Sequence, residues 1–175
     1  MNEVSINKSM KLSPHFTLGE LTKTSYYTLD GNIPSHEAIE NLKRVCGWLE
    51  ILRERYNKLY GDGVSPPDPS SSGGEIPIVI SSGYRSEEVN MKCGGAKGSN
   101  HLTGCAVDIR CYGPEQMIRY ACLLLDIADE KLHSKNRPYC VNFDELILEK
   151  RGTTYWVHFA VRPKENRRKI LFDCR

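Results

Sequence analysis

The sequence predicts an α+β domain in which a small antiparallel sheet is flanked by helices. Three observations carry that expectation. Residues 35–58 place apolar side chains at helical spacing: Ile39, Leu42, Cys46 and Leu49, widened by Val45, Leu52 and Tyr56. Two short apolar runs, IPIVIS at 76–81 and CAVDIRC at 105–111, read as strands. Two further strand-like runs, 143–149 and 154–161, are joined by Arg151-Gly152-Thr153 and read as a hairpin. Adjacent antiparallel strands at the end of the chain argue for α+β rather than a doubly wound parallel sheet.

The elements follow in order. Pro34-Ser35 is a start signal for the first long helix, with Ser35 as its N-cap, and Gly61-Asp62-Gly63 stops it. Residues 61–75, GDGVSPPDPSSSGGE, read as a flexible loop. The 60 residues before it hold one strong helix, so they are expected to pack onto the rest, making residues 1–175 a single domain. Ser86 caps a short helix to Lys92, and CGGAKGS at 93–99 is a glycine-rich loop. Gly113-Pro114 opens a second long helix to about residue 132, with Met117, Ala121, Leu124 and Ala128 on its apolar face.

Composition sets limits. A net charge of +2 offers no global field for nucleic acid or anionic lipid, and no nucleic-acid partner is expected. The most basic stretch, Arg162, Lys164, Arg167, Arg168 and Lys169, reads as a solvated C-terminal tail. No run of 18 apolar residues occurs, so no membrane span is expected, and the first 12 residues lack the apolar stretch of a secretory signal. The chain is therefore expected to start in the cytoplasm, to act as a monomer, and to need release if it works outside. The seven cysteines form no CxxC pair and read as reduced, small apolar residues.

One constellation carries chemistry. Catalytic zinc takes three protein ligands and keeps a position open for water, and His and carboxylate ligands leave the ion acidic enough to activate that water. His101 lies in a loop just before a strand, Asp108 lies within the strand, and Gly104 between them allows a tight turn. His158, in a later strand, can supply the third ligand. Taken singly, each has a plainer reading: Asp108 can pair with Arg110, and a strand histidine is more often a satisfied core residue. His15, His36 and His133 match no ligand pattern, and surface or capping roles are the default for them.

Taken together, the motifs resemble a family. The residues are Ser82-Gly83-Tyr84-Arg85-Ser86, Asn90, Gly94-Gly95, the spacing of Ser99, His101, Gly104, Ala106 and Asp108, and finally Trp156-Val157-His158. They resemble the zinc D-Ala-D-Ala carboxypeptidases and L-alanyl-D-glutamate endopeptidases, which share a fold with the hedgehog signalling domain. Residues 13–21, SPHFTLGEL, and Asn41-Leu42 look like the amino-terminal part of one bacterial and phage branch. The resemblance implies that His101, Asp108 and His158 bind zinc and that Arg85 contacts substrate. An arginine fork suits a carboxylate or a polarised carbonyl, although a structural ion pair is the alternative for Arg85. Ser99 either binds substrate or shapes its loop, and Trp156 is either a cleft wall or a core aromatic.

The general base is where this chain departs from the pattern. Several branches carry Glu three residues before the last histidine ligand, and here that position is Tyr155. A hairpin turning at Gly152-Thr153 would pair Lys150, Glu149 and Ile147 with Tyr155, Trp156 and His158. That register puts Glu149 and Glu145 on the face of His158, one step to either side. Glu149 is the preferred base and Glu145 the alternative. The activity implied is hydrolysis of peptidoglycan stem peptides, and the absent signal peptide fits a phage enzyme released at lysis. A non-catalytic zinc module of the same fold, binding cell wall or a protein partner, is the competing expectation.

Overall fold

The computed structural model describes residues 7–61, 75–133 and 142–174, with the backbone alone at 131–133. The loop expected at 61–75 thus lies outside the described residues from 62 to 74, and so does the side chain of His133. Among the described residues five strands form one sheet in the order β1-β2-β4-β3-β5: β1 is Ile80–Ser82, β2 Ala106–Cys111, β3 Glu145–Arg151, β4 Thr154–Ala160 and β5 Lys169–Cys174. Every pair is antiparallel except β3 with β5. The helices are α1 Leu18–Leu21, α2 His36–Tyr60, α3 Glu87–Lys92 and α4 Pro114–His133, and a 3-10 turn spans Asn100–Thr103. No described helix is long and apolar enough to cross a membrane.

The alternation of strand side chains builds a core on one face of the sheet and a site on the other. On the core face, Val107, Ile109, Leu146, Val157 and Phe159 meet the apolar stripes of α2 and α4. Phe159 packs on Trp48 at 5.3 Å between ring centroids, and Tyr56 of α2 packs on Tyr120 of α4 at 4.7 Å. On the opposite face lie Asp108, Arg110, Glu145, Ile147, Glu149, Trp156 and His158, one from every second position. Ser35 caps α2 through Ala38 N–H at 3.1 Å and Ser86 caps α3 through Val89 N–H at 3.3 Å, as their sequence positions predict.

Two expectations need correction, those for the run at 76–81 and for the basic stretch. The run at 76–81 enters the sheet only from Ile80. Pro77 has no N–H to give a ladder, and the Asn57 side chain takes both backbone groups of Ile76, at 2.6 and 2.9 Å. The SPHFTLGEL segment contains a helix, α1, closed by a capping box between Thr17 and Glu20. His15 has a structural role there: its ring, its backbone N–H and the Ser13 hydroxyl all bond Glu50 of α2, within 2.8 Å. The basic stretch at 162–169 is not a free tail. It leads into β5, and Arg167 and Lys169 bond acidic side chains at the start of the hairpin. The cysteine expectation fits for Cys46, Cys105 and Cys111, which are buried, whereas Cys93, Cys122 and Cys174 are exposed and Cys140 lies outside the described residues. Burial pushes the Cys46 and Cys111 thiols up to about 12, so they stay protonated.

Gly104 shows how tightly the turn before β2 is made. Its φ is +71°, and a Cβ there would lie 2.4 Å from the Ala38 carbonyl oxygen of α2. Left-handed backbone alone disfavours a side chain by roughly 1–2 kcal/mol. Gly104→Ala is therefore expected to destabilise by at least about 2 kcal/mol, lowering the melting temperature by about 4–8 °C. A thermal melt unchanged within 1 °C, read by circular dichroism, contradicts this account of the turn.

Candidate metal centre

Each of the three predicted ligands is delivered by a separate element. His101 sits in the 3-10 turn, whose N-cap Ser99 accepts from His101 N–H at 3.3 Å. Asp108 is mid-β2 and His158 mid-β4, and the two are direct cross-strand partners. The hairpin pairs Lys150, Glu149 and Ile147 with Tyr155, Trp156 and His158, the register expected from the turn at Gly152. All three residues are buried.

Their donor atoms converge on one point. His101 Nε2 lies 3.2 Å from Asp108 Oδ1 and 3.2 Å from His158 Nδ1, and His158 Nδ1 lies 2.9 Å from Asp108 Oδ1. A tetrahedral ion with ligand bonds of about 2.0–2.1 Å separates its ligands by about 3.3 Å, so this triangle has the size zinc requires. Among the described residues it is the group of histidine, cysteine and acidic side chains that could hold a metal.

The outward nitrogens set the tautomers. His101 Nδ1 donates to the Gly83 carbonyl at 2.6 Å, so Nε2 is the nitrogen turned toward Asp108 and His158. His158 Nε2 faces Glu145 Oε2 at 3.4 Å, so Nδ1 is the nitrogen that offers a lone pair once the ring gives up its second proton. Outer partners of this kind orient imidazole ligands and raise their basicity. The donor set, two imidazoles and one carboxylate, thus fits zinc.

The electrostatics agree. Burial opposes ionisation of Asp108, but the charges and hydrogen bonds of His101 and His158 outweigh it and hold the carboxyl far below the usual range. Burial also opposes charge on His158, and bonds to Asp108 and Glu145 reverse that, raising it to about 9. A cation entering the set must displace that proton. Zinc affinity is therefore expected to climb as pH rises from about 6.5 toward 9, by up to about tenfold per unit, and to level off above 9. Chelator competition across that range measures it, and a flat profile contradicts the protonated histidine. The same raised value means that His158's own contribution to stability is complete below 6.5 and is lost as pH passes through about 9.

Around this point opens a cleft of about 520 Å³. Arg85, Ser99, Glu145, Glu149 and Trp156 all line it, so the structure brings every predicted site residue to one place. Arg85 is also an ion-pair partner: Nε donates to Ser82 Oγ at 2.8 Å and Nη2 bonds Asp108 Oδ2. The two candidate acids differ. Glu145 Oε1 has Arg167 at 3.0 Å and Lys169 at 3.3 Å, while Oε2 has Asn100 at 3.0 Å and His158 at 3.4 Å. Both oxygens are fully engaged, and the bond to His158, reinforced by its charge and by Asn100 and Lys169, lowers the carboxyl to about 2 against the effect of burial. Glu149 is the opposite case. Burial and the nearby Asp108 charge raise its pKa, against smaller effects of the His158 charge and a Trp156 hydrogen bond.

Sequence reasoning did not find the Gly83 carbonyl, Asn100, Asp144 or Arg167. The placing of Glu145 on the His158 face was the one available signal for the outer partners, because the others arrive from distant segments.

Fold and site together define a candidate site for one metal ion on a sheet face, with a carboxylate beside it. A family model described as Peptidase M15 matches residues 71–129. That stretch includes Arg85, Ser99, His101 and Asp108, and ends before the hairpin that carries His158, Glu145 and Glu149. No curated protein matches.

Proposed function

We propose that this protein is a zinc-dependent peptidase that hydrolyses peptidoglycan stem peptides, as a D-Ala-D-Ala carboxypeptidase or an endopeptidase. The observation that carries the reading is the triangle of His101, Asp108 and His158 donor atoms, about 3 Å on each side, in a cleft that Glu149 also lines. The match to the Peptidase M15 model supports the same class of chemistry.

Zinc in this set would supply Lewis acidity to the scissile carbonyl and the attacking water. Glu149 takes the water's proton and later gives it to the leaving amine. Its raised pKa suits both tasks, because a stronger base accepts more readily and can still return the proton near neutral pH. Glu145 does not share the task in this reading, since its oxygens already hold four partners. Arg85 spends one N–H on Ser82 and one on Asp108. A guanidinium has five N–H donors, so others remain for the oxygen on which negative charge builds. Ser99 and Trp156 form substrate-facing walls, and release at phage lysis is the route by which this reading brings the chain to the wall.

The test is amine release from purified peptidoglycan, with and without chelator. Hydrolysis that chelator stops and added zinc restores is the expected result. One zinc per chain with no cleavage of any stem peptide would overturn the peptidase reading and leave a binding module in its place.

A further inference from the structure

Two adjacent acids, Asp144 and Glu145, open the hairpin, and both are tied to the same two donors. Asp144 is completely buried, a position a carboxylate tolerates only when paired and hydrogen-bonded. Arg167 grips it three times: backbone N–H to Oδ1 at 3.1 Å, Nε to Oδ1 at 2.8 Å and Nη2 to Oδ2 at 2.6 Å. The same Nη2 reaches Glu145 Oε1 at 3.0 Å. Asn100 repeats the pattern, with Nδ2 at 2.8 Å from Asp144 Oδ2 and 3.0 Å from Glu145 Oε2. Asn100 immediately precedes His101, and Glu145 faces His158 Nε2. The Asp144 node therefore touches both histidine arms of the metal centre.

We propose that Arg167 is a positioning residue: clamped on Asp144, it holds Glu145 against the outer nitrogen of His158 and so sets the strength with which the centre binds zinc. This rests on the zinc reading above. The physical reason is entropy and aim. A glutamate has three rotatable bonds, and one bond to an imidazole does not fix them. An arginine fork that is itself immobilised on a buried carboxylate removes that freedom before any metal arrives. The charge of Arg167, with that of Lys169, also offsets the repulsion between two neighbouring carboxylates.

The experiment is a double-mutant cycle on the zinc dissociation constant, measured by chelator competition with zinc as the only probe. Arg167→Ala is expected to weaken zinc about tenfold, the lower end of the effect of losing an outer partner of a ligand. Glu145→Ala is expected to weaken it at least as much, and the double variant no more than Glu145→Ala alone. A general structural role for Arg167 predicts instead the same factor in both backgrounds, and that result overturns the proposal. So does an unchanged Kd in Arg167→Ala. Should Arg167→Ala fail to fold, Arg167→Lys tests the same point, because it keeps the charge but not the fork. Severalfold weaker zinc is expected there, and wild-type affinity overturns the clamp. Failure of the wild-type protein to bind zinc at all is a different outcome, which removes the metal reading and the clamp with it.

Discussion

His101→Ala is expected to abolish both tight zinc binding and peptide hydrolysis, and to leave the fold standing. Removing an outer partner of a ligand weakens metal about 10–100-fold, so removing one of three ligands must exceed that. The Asp108 carboxylate is not stranded in this variant, because it keeps Arg85 and His158 as partners. Asp108→Ala is expected to lose the same functions with a second penalty. It strips Arg85 of its carboxylate partner in a largely buried place. Breaking such a pair from one side destabilises by about 3–5 kcal/mol, of order 10 °C in melting temperature. Zinc content, amine release and a thermal melt on both variants separate the two effects. Full-rate hydrolysis by either variant contradicts the assignment of the centre.

Glu149→Gln and Glu145→Ala are expected to fail in different ways. If Glu149 handles the proton, Glu149→Gln lowers kcat by about 10²–10⁴-fold and leaves zinc affinity unchanged. Glu145→Ala is expected to weaken zinc and to recover most of kcat once zinc is saturating. The opposite assignment, with Glu145 as base, exchanges the two outcomes. The pH profile adds a third reading. Glu149 is raised from its ordinary 4.5, so as a base it works above that raised value, and activity is lost as pH falls through it. At saturating zinc the acid limb is therefore expected above 4.5, and Glu149→Gln should remove it. An acid limb that persists in Glu149→Gln assigns the proton to another group.

Much of this arrangement is local enough to be legible in one chain. The 3.6-residue spacing in α2 and α4 and the period-2 alternation in the hairpin follow from which side chains can share a face. The turn at Gly152 fixes the hairpin register, and register alone puts Glu145, Ile147 and Glu149 on the side of His158. The spacing of His101 and Asp108 around Gly104 is equally local: the left-handed glycine at φ +71° lets six residues reverse direction between turn and strand.

What the chain by itself determined is thus the α+β class, the faces and the hairpin register, and the resemblance of its motifs to a family pointed to the residues that meet in the cleft. The tertiary structure decided how those residues are partnered. Arg167 reaches Asp144 across 23 positions of sequence, Glu50 receives His15 across 35, and Asn100 meets Glu145 across 45. No periodicity encodes such pairs, because they depend on how β5 and the amino-terminal segment pack rather than on a repeat along one element. The two glutamates show the consequence. They are equivalent by register and stand one step to either side of His158. Packing surrounds Glu145 with two cations, an amide and an imidazole, and leaves Glu149 desolvated and near the Asp108 charge, an effect that the His158 charge and the Trp156 hydrogen bond do not outweigh. The difference in their chemistry comes from desolvation and neighbouring charge, which exist only once the chain has folded.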